Sequence, residues 1–425
     1  MQSAQNYTEQ TKSLLLEKYL KDLPAKAPLD KQVIFQYITD DFDYANFPNA
    51  EAIKNFALSW QPSAQQVEIF DKNYSCPPRP LNRAHKDNGW ENKNKQMVSA
   101  LRSIGKQVVV LIGKKIMSGS LNLTQISFPI KSMIPKSALE KALISACMFP
   151  LYMNRAAHID DKVERMKLVI TACISNFHYN QGFSKPLNPI LGETCEGEFE
   201  DGTQAYAEQI SHHPPVSYFM IKPKDNSYTY YGNYNYSSKA YMNSLELLNS
   251  GSRNVYFKKD GQKITYNFAK ETYSGIFWGA LKIETKGQLI FEDKQNKLKA
   301  IINFEKGFKQ QNYGDEFAGE ITQDGKCVSQ IRGSYISHID FDNYRYFDYQ
   351  TAKPFKIKIN NNSILESDQG YRKDKNWVLQ GHIDQAQKYK EELEGIQRED
   401  AKKRKNYIQS HHLKEKYDNC EDINL

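Results

Sequence analysis

The stretch EQISHHPPVSYF, Glu208 to Phe219, reads as two extended runs joined by a rigid corner. His212 and His213 stand side by side and are closed off by Pro214 and Pro215, which neither a helix nor a central strand accommodates. The residues that follow, VSYFMI, have the β-branched and aromatic texture of a strand. Two imidazoles at one bend suit a metal, a catalytic base or an anionic ligand, and the rest of the chain has to choose among them.

Outward from this corner, residues 189–359 repeat the same texture. Segments such as SYTYYGNYNY, NVYFKK, KITYNFA, ALKIET, GQLIFED, KLKAIINFE and QIRGSYISHI alternate with DG, KG and DN turns. So many strands in meander order predict one large, strongly curved or nearly closed antiparallel sheet. Ahead of it, two helices are expected near Pro135 to Met153 and Asp160 to Phe177, the second with Asp160 and Asp161 at its positive end. ISFPI, Ile126 to Ile130, reads as a short extended segment. From Gln96 to Ile116, Met97, Leu101, Ile104, Val108, Leu111, Ile112 and Ile116 recur every three to four residues among lysines and arginines. That pattern predicts a basic amphipathic helix of about six turns, either packed on the core or touching a membrane. HIDQAQKYKEELEGIQREDAKKRKNYI, His382 to Ile408, reads as a charged C-terminal helix. Residues 1–94, rich in Asn, Gln and Lys, read as a loosely packed extension of low order with one or two short helices, leaving residues 95–425 as the main domain.

At 425 residues, 40% hydrophobic and 12% aromatic, the chain is long and apolar enough to bury a sizeable core. A net charge of +7 fits phosphate-bearing partners or an anionic membrane surface without requiring either. The start MQSAQNYTEQTK lacks the features of a signal peptide, and no apolar run approaches the roughly 18–20 residues of a membrane span, which points to a cytoplasmic protein. Six cysteines, Cys76, Cys147, Cys173, Cys195, Cys327 and Cys420, are scattered without CxxC spacing, as expected of reduced thiols.

Zinc commonly draws its ligands from short spacings such as HExxH or CxxC, and neither is present. Adjacent histidines in an extended segment also point to opposite sides, which hinders joint chelation. GxSxG, GxxxxGK[ST] and GxGxxG are absent, and Glu208 has no nucleophile to serve, so no catalytic residue, metal or cofactor is expected. The bland alternative is that the histidines and prolines merely shape a strand corner. Against it stands KPLNPILGE, Lys185 to Glu193, a second stretch that sets a basic residue beside prolines. Lys390, Glu394 and Arg398 add a third element, since i, i+4 and i+8 share one helix face and Glu394 can hold both cations in place. If these elements converge, they form a phosphate clamp.

EQISHHPPVS resembles the signature of the oxysterol-binding protein family, which has Val where this chain has Ile210. KPLNPILGE is similar to the family's upstream block and KEELEGIQR, Lys390 to Arg398, to its C-terminal helix motif. Weaker similarity runs through QISFPI, DDKVERMKLV, GQLIFEDKQNKLKAIINFE and NWVLQGHI, covering about residues 96–405 in the expected order. The resemblance implies an α+β, mainly β fold: a near-complete antiparallel β-barrel around an apolar lipid tunnel, with an N-terminal lid helix within residues 96–125, a small helical subdomain and a C-terminal helix. It further implies that His212 and His213, with Lys390, Glu394 and Arg398, bind the 4-phosphate of phosphatidylinositol 4-phosphate, with Lys185 and Asn188 beside the headgroup.

The implied function is exchange of phosphatidylinositol 4-phosphate for a second lipid in the same tunnel, sterol first and phosphatidylserine second, by a protein that touches organelle membranes peripherally. A lipid-regulated sensor or scaffold without bulk transfer is the rival. No nucleic acid is expected as a partner. Two departures from the family pattern bear on targeting. Residues 1–94 carry no pleckstrin-homology pattern, and NYIQSHHLKEKYDNC replaces the aromatic and proline-containing segment after the C-terminal helix. TDDFDYANF, Thr39 to Phe47, faintly resembles an acidic, phenylalanine-containing motif that binds tethering proteins of the endoplasmic reticulum, but reads more readily as an ordinary acidic loop.

Overall fold

The computed structural model describes residues 49–112, 127–180, 182–305, 308–361 and 363–411. In chain order these form helix α1 (Ala50–Ser59), strands β1 (Ser63–Ala64) and β2 (Trp90–Glu91), helix α2 (Lys95–Ile112), strand β3 (Met133–Ser137) and helices α3 (Ala138–Ile144), α4 (Phe149–Ala157) and α5 (Lys162–Asn180). Strands β4 (Lys185–Leu187), β5 (Thr194–Phe199), β6 (Gln204–Ser211), β7 (Val216–Lys222), β8 (Tyr228–Ala240), β9 (Ser244–Asn249), β10 (Arg253–Phe257), β11 (Lys263–Tyr266) and β12 (Lys270–Ser274) follow. The sheet continues through β13 (Lys282–Lys286), β14 (Gln288–Asp293), β15 (Leu298–Asn303), β16 (Glu316–Gln323), β17 (Lys326–Ser334), β18 (His338–Phe341), β19 (Tyr344–Asp348) and β20 (Ile357–Ile359). Helices α6 (Lys373–Leu379) and α7 (Ile383–Ser410) end the described chain.

Eighteen strands share one antiparallel sheet. It is mostly a meander, as expected, but it forks at the long strand β8. Tyr228 to Gly232 pair with β10 while Tyr236 to Ala240 pair with β9, which leads on through β12 and β13 to β2. The other branch runs β10, β11, β14 to β19 and ends on β1. Alternation sets which face is inside: in β15, Leu298, Ala300 and Ile302 are buried while Lys299, Ile301 and Asn303 are exposed. The two ends of the sheet, β20 and β1, are not hydrogen-bonded to each other, so the barrel is nearly but not fully closed. Helix α3 lies against β5, β6 and β20, α5 against β18 and β19, and α4 on α5, so the helices cover that seam. The core lies between these helices and the inner sheet face, where Phe149 stacks on Tyr230 at 4.0 Å.

The helix expected over Pro135 to Met153 is two helices, preceded by a strand that pairs in parallel with β4. The break follows from chemistry at residues 147–150: Pro150 cannot continue a preceding helix, the Asn176 Oδ1 accepts from Met148 N at 3.0 Å, and Phe355 N donates to the Cys147 carbonyl at 2.8 Å. Asp161 starts α5, its carboxylate accepting from Val163 N and Glu164 N at 2.8 and 3.1 Å. The described part of ISFPI is not a strand, because Ile130 begins a short 3-10 turn and the strand comes three residues later at Met133.

Residues 49–94 depart most from expectation, because they are packed on the barrel. Strand β1 pairs with β19 and β2 with β13, extending the sheet at two places. Trp90 is buried and donates its indole N–H to the Phe177 carbonyl at 3.3 Å, and Trp60 meets Tyr152 edge-on at 5.1 Å. The periodicity of so short a segment carries little signal, and its partners lie from about ninety to about 280 residues away in sequence, so composition alone gave it the look of a loose extension. Residues 1–48, with TDDFDYANF, lie outside the described residues.

The basic amphipathic helix runs from Lys95 to Ile112, and residues 113–125 of the expected lid lie outside the described residues. Arg102 seats it on the turn after β12, donating to the carbonyls of Gly275, at 3.2 Å, and Gly279. Gly275 has φ +74, and a Cβ there would fall 1.8 Å from the Ala280 carbonyl oxygen, so only glycine makes this turn.

Candidate functional site

The corner quoted first is a turn over His212 to Pro215 between β6 and β7, with the His213–Pro214 peptide cis. Because the backbone turns here, the two imidazoles are neighbours, 4.5 Å between ring centres, and not on opposite sides as an extended segment would place them. Gln209 holds the corner from below: its amide donates to the Ser211 carbonyl at 2.6 Å and its oxygen accepts from Ser217. Glu208 points outward and is exposed. Among the described residues no three His, Cys, Asp or Glu side chains gather as a metal site would need.

Helix α7 brings its charged face to this corner. Asn188, His212, Lys390 and Glu394 line one pocket together with Arg372 and Gln397. Lys390 is buried and its ammonium lies 2.5 Å from Glu394 and 2.6 Å from the Ser127 hydroxyl, which also donates to both Glu394 oxygens at 2.9 and 3.0 Å. Lys185 donates to Asn188 Oδ1 at 2.5 Å and lies over the Phe128 ring at 5.4 Å. His213 is exposed at the rim. Arg398, 3.9 Å from Glu394, is 71% exposed and stands at the periphery. Three separate stretches of sequence therefore converge at one place.

The electrostatics of this place are unbalanced. Burial, with Lys390 close by, pushes Lys185 down to about 8 despite the opposing pull of Glu394. Burial and the neighbouring His213 lower His212 to about 4, again against Glu394. Cationic groups outnumber the single carboxylate that faces them. Among the described residues the His212 ring has no hydrogen-bond partner in the protein, its one close neighbour being the His213 ring.

Sequence reasoning missed Arg372, Gln397 and Ser127. Arg372 is buried and donates to Glu193 at 2.9 Å, Asp374 at 2.6 Å and the Asn188 carbonyl at 2.7 Å, so it fixes the KPLNPILGE loop under the pocket. Gln397 is buried on α7 and its amide nitrogen has no partner. It falls seven residues after Lys390, two turns along the same face, a spacing that could have marked it.

Tyr236 on β8 exposes 40% of its surface. It stacks on Tyr234 at 5.7 Å, which in turn meets Phe219 at 5.0 Å and Phe268 at 5.3 Å.

Residues 112–421 match the sequence profile of the family described as oxysterol-binding protein. Oxysterol-binding protein 9 of Dictyostelium discoideum is 30% identical over 347 residues, covering 76% of this chain and 81% of that protein. Oxysterol-binding protein-related protein 5 of Mus musculus is 27% identical over 311 residues, 67% of this chain but only 34% of its own length. The chain thus spans four-fifths of the one relative and about a third of the other. Among solved structures, an Osh1 ORD domain in complex with cholesterol superposes with a TM-score of 0.58 at 18% identity, covering 80% of this chain and 86% of that one. An Osh3 ORD in complex with PI(4)P from Saccharomyces cerevisiae superposes with a TM-score of 0.56 at 18% identity, covering 78% and 89%. At that identity the superpositions speak for the fold: a nearly closed antiparallel barrel with its covering helices. With the family profile covering most of its length, this chain belongs to the oxysterol-binding protein family.

Proposed function

We propose that this protein is a lipid transfer protein that binds phosphatidylinositol 4-phosphate and a second lipid, sterol first, in one interior cavity and exchanges them between membranes. The observation that carries the reading is the surplus of ammonium charge at the barrel mouth, where Lys185 and Lys390 are set against Glu394, beside a His212 ring that has no hydrogen-bond partner among the described residues and is free to donate to an anion. A phosphate monoester would supply the missing negative charge, and each charge-assisted hydrogen bond to it is worth about 1.5–3 kcal/mol. Glu394 and Ser127 orient the Lys390 ammonium, Asn188 that of Lys185, and Gln209 the histidine corner, so little ordering is left to pay for on binding. Relatives of the same fold have been solved with cholesterol and with PI(4)P, which supports both ligands.

The apolar part of either lipid would lie in the cavity behind Tyr236. Burying a few hundred Å² there yields on the order of 10 kcal/mol, comparable with what holds a lipid in a bilayer, so transfer is near balance. Direction then comes from a phosphoinositide gradient between the two membranes, the headgroup clamp letting one lipid displace the other. The protein works as a peripheral visitor at membrane surfaces. No helix among the described residues is long and apolar enough to cross a membrane.

Extraction of labelled phosphatidylinositol 4-phosphate from liposomes, beside the His212→Ala/His213→Ala variant, tests this reading. Loss of extraction in the variant, with binding of a neutral sterol retained, is the expected result. Equal loss of both lipids would reduce the corner to architecture, and no extraction by the folded wild type would overturn the clamp.

A further inference from the structure

Four arginines lie in the buried interior: Arg165, Arg253, Arg332 and Arg372. Three of them face carboxylates, Arg165 with Asp260 at 2.9 Å, Arg332 with Glu316 at 3.7 Å and Arg372 with Glu193 at 2.9 Å. Arg253, at the start of β10 and only 7% exposed, forms no ion pair with any carboxylate among the described residues. Its guanidinium is stacked between Phe268 at 3.9 Å and Tyr266 at 4.4 Å, and Nη2 donates to the Asn267 carbonyl at 2.6 Å. Its buried Nε has no partner. The Cys173 thiol nearby supplies no counter-charge, because burial pushes it up and keeps it protonated.

Strand register places this cation on the inner face of the sheet, with the buried Val255 and Phe257. Arg253 sits opposite Gly232 of β8, and Gly232, Tyr234 and Tyr236 share one face of that strand. Tyr236 sits opposite Asn249, and two residues further along the same face Ser238 sits opposite Leu247, which faces Glu271 and, beyond it, Thr285. Glu271, on this wall, is occupied by the Tyr273 hydroxyl at 3.3 Å. An arginine stays charged in any protein environment, and a buried charge without a counter-charge is costly to keep. A barrel that retains one on its inner face, where an apolar residue would be more stable, keeps it for a ligand.

We propose that the interior cavity takes a further class of ligand, a single-chain lipid ending in a carboxylate, such as a long-chain fatty acid, whose anionic end is held by Arg253 among the rings of Tyr234, Tyr266 and Phe268. Two aromatic faces leave only the guanidinium edge free, which suits the planar two-oxygen fork of a carboxylate. One cation matches a monoanion better than a phosphate monoester, whose second charge would find only the neutral-to-acidic Glu271 along this wall. The inference rests on the reading of the interior as a lipid cavity, made above.

The test uses the full chain and two fluorescent probes of the same length, cis-parinaric acid and its methyl ester. The wild type is expected to bind the acid at least about tenfold more tightly than the ester, a preference of roughly 1.4 kcal/mol. Arg253→Gln should bring the ratio to about one with ester binding unchanged, and Arg253→Lys should keep part of it. Equal binding of acid and ester by the wild type overturns the carboxylate site while leaving the lipid cavity standing; binding of neither probe breaks both readings. A preference that survives in Arg253→Gln assigns it elsewhere and overturns the proposal. If that variant does not fold, competition on the wild type decides: oleate must displace the acid probe at about tenfold lower concentration than oleyl alcohol, and equal displacement overturns the site.

Discussion

Two histidines of this protein have lost the same basicity for different ends. His338, in the seam where residues 63–91 strap onto β18 and β19, and His212, at the mouth, are both lowered to about 4 by burial. The His338 ring has both nitrogens in hydrogen-bond contact, with the Ser337 hydroxyl at 2.8 Å and the Tyr74 hydroxyl at 2.9 Å. Around it every charge is matched: Arg79 with Asp315, Arg332 with Glu316 at 3.7 Å, Arg345 with Asp340 at 2.9 Å. His212 has neither kind of satisfaction: its ring lies beside another imidazole, in a pocket it shares with Lys390 and Glu394. A lowered histidine pKa by itself therefore says nothing of function. What separates the seam from the mouth is whether polar capacity is used up within the protein.

The comparison can be broken from either side. Asp315→Ala in the seam removes the acceptor for Arg79, Ser334 Oγ and Gly89 N and leaves a guanidinium unmatched. It should cost about 3–5 kcal/mol of stability, read as a fall in the urea midpoint, while phosphoinositide binding by the remaining folded protein is retained. A midpoint unchanged would show that the strap adds nothing. At the mouth, His212→Ala/His213→Ala should lower affinity for phosphatidylinositol 4-phosphate by roughly 100-fold, two charge-assisted bonds at the weak end of their range, with the urea midpoint nearly constant. A large drop in stability instead would place the mouth in the same class as the seam.

Acid should sharpen the contrast. His338 has a folded value of about 4 against about 6.5 unfolded, so between these pH values the unfolded chain binds the extra proton. Stability is then fully present above about 6.5 and falls as pH drops towards 4, by about 2 kcal/mol between pH 7 and 5 from this residue. His338→Asn should flatten that part of the urea-midpoint profile, and an unchanged slope would exclude His338 as its source. Alkali probes the mouth: Lys185, held near 8, loses its charge as pH rises from 7 to 9. Headgroup affinity should fall through that window by up to about tenfold, and Lys185→Gln should start lower and lack the fall. A bound phosphate raises the lysine's value, so the midpoint for binding should move upward as ligand is added, which a titration at fixed pH detects as proton uptake.

Much of this was legible beforehand, for identifiable reasons. Strand alternation is a local property, so KLKAIINFE could be read as β15 before its neighbours were known. The mouth residues were legible because each sits in a short stretch with unusual chemistry: His212 and His213 before two prolines, Lys185 before another, and Lys390, Glu394 and Arg398 at helical spacing. Arg372 and Gln397 carry no such mark. An arginine in YRKDKNW and a glutamine in a charged helix look like surface residues until the fold shows one facing Glu193 and the other facing the pocket. Arg253 is the same case at greater depth, since NVYFKK announces a strand but not that the cation at its start points inward.

The sequence by itself determined what depends on neighbours within a turn or two: the alternation of the strands, the amphipathic helices, the corner at His212 to Pro215, and through its motifs the family. Only the tertiary structure decided what depends on partners far along the chain: that residues 49–94 are a strap and not a loose extension, that α7 meets the histidine corner, and which charges find a counter-charge. Backbone periodicity is set by each residue's own geometry. Whether a buried charge is matched depends on groups brought together from distant strands and helices, and only the folded chain supplies those distances.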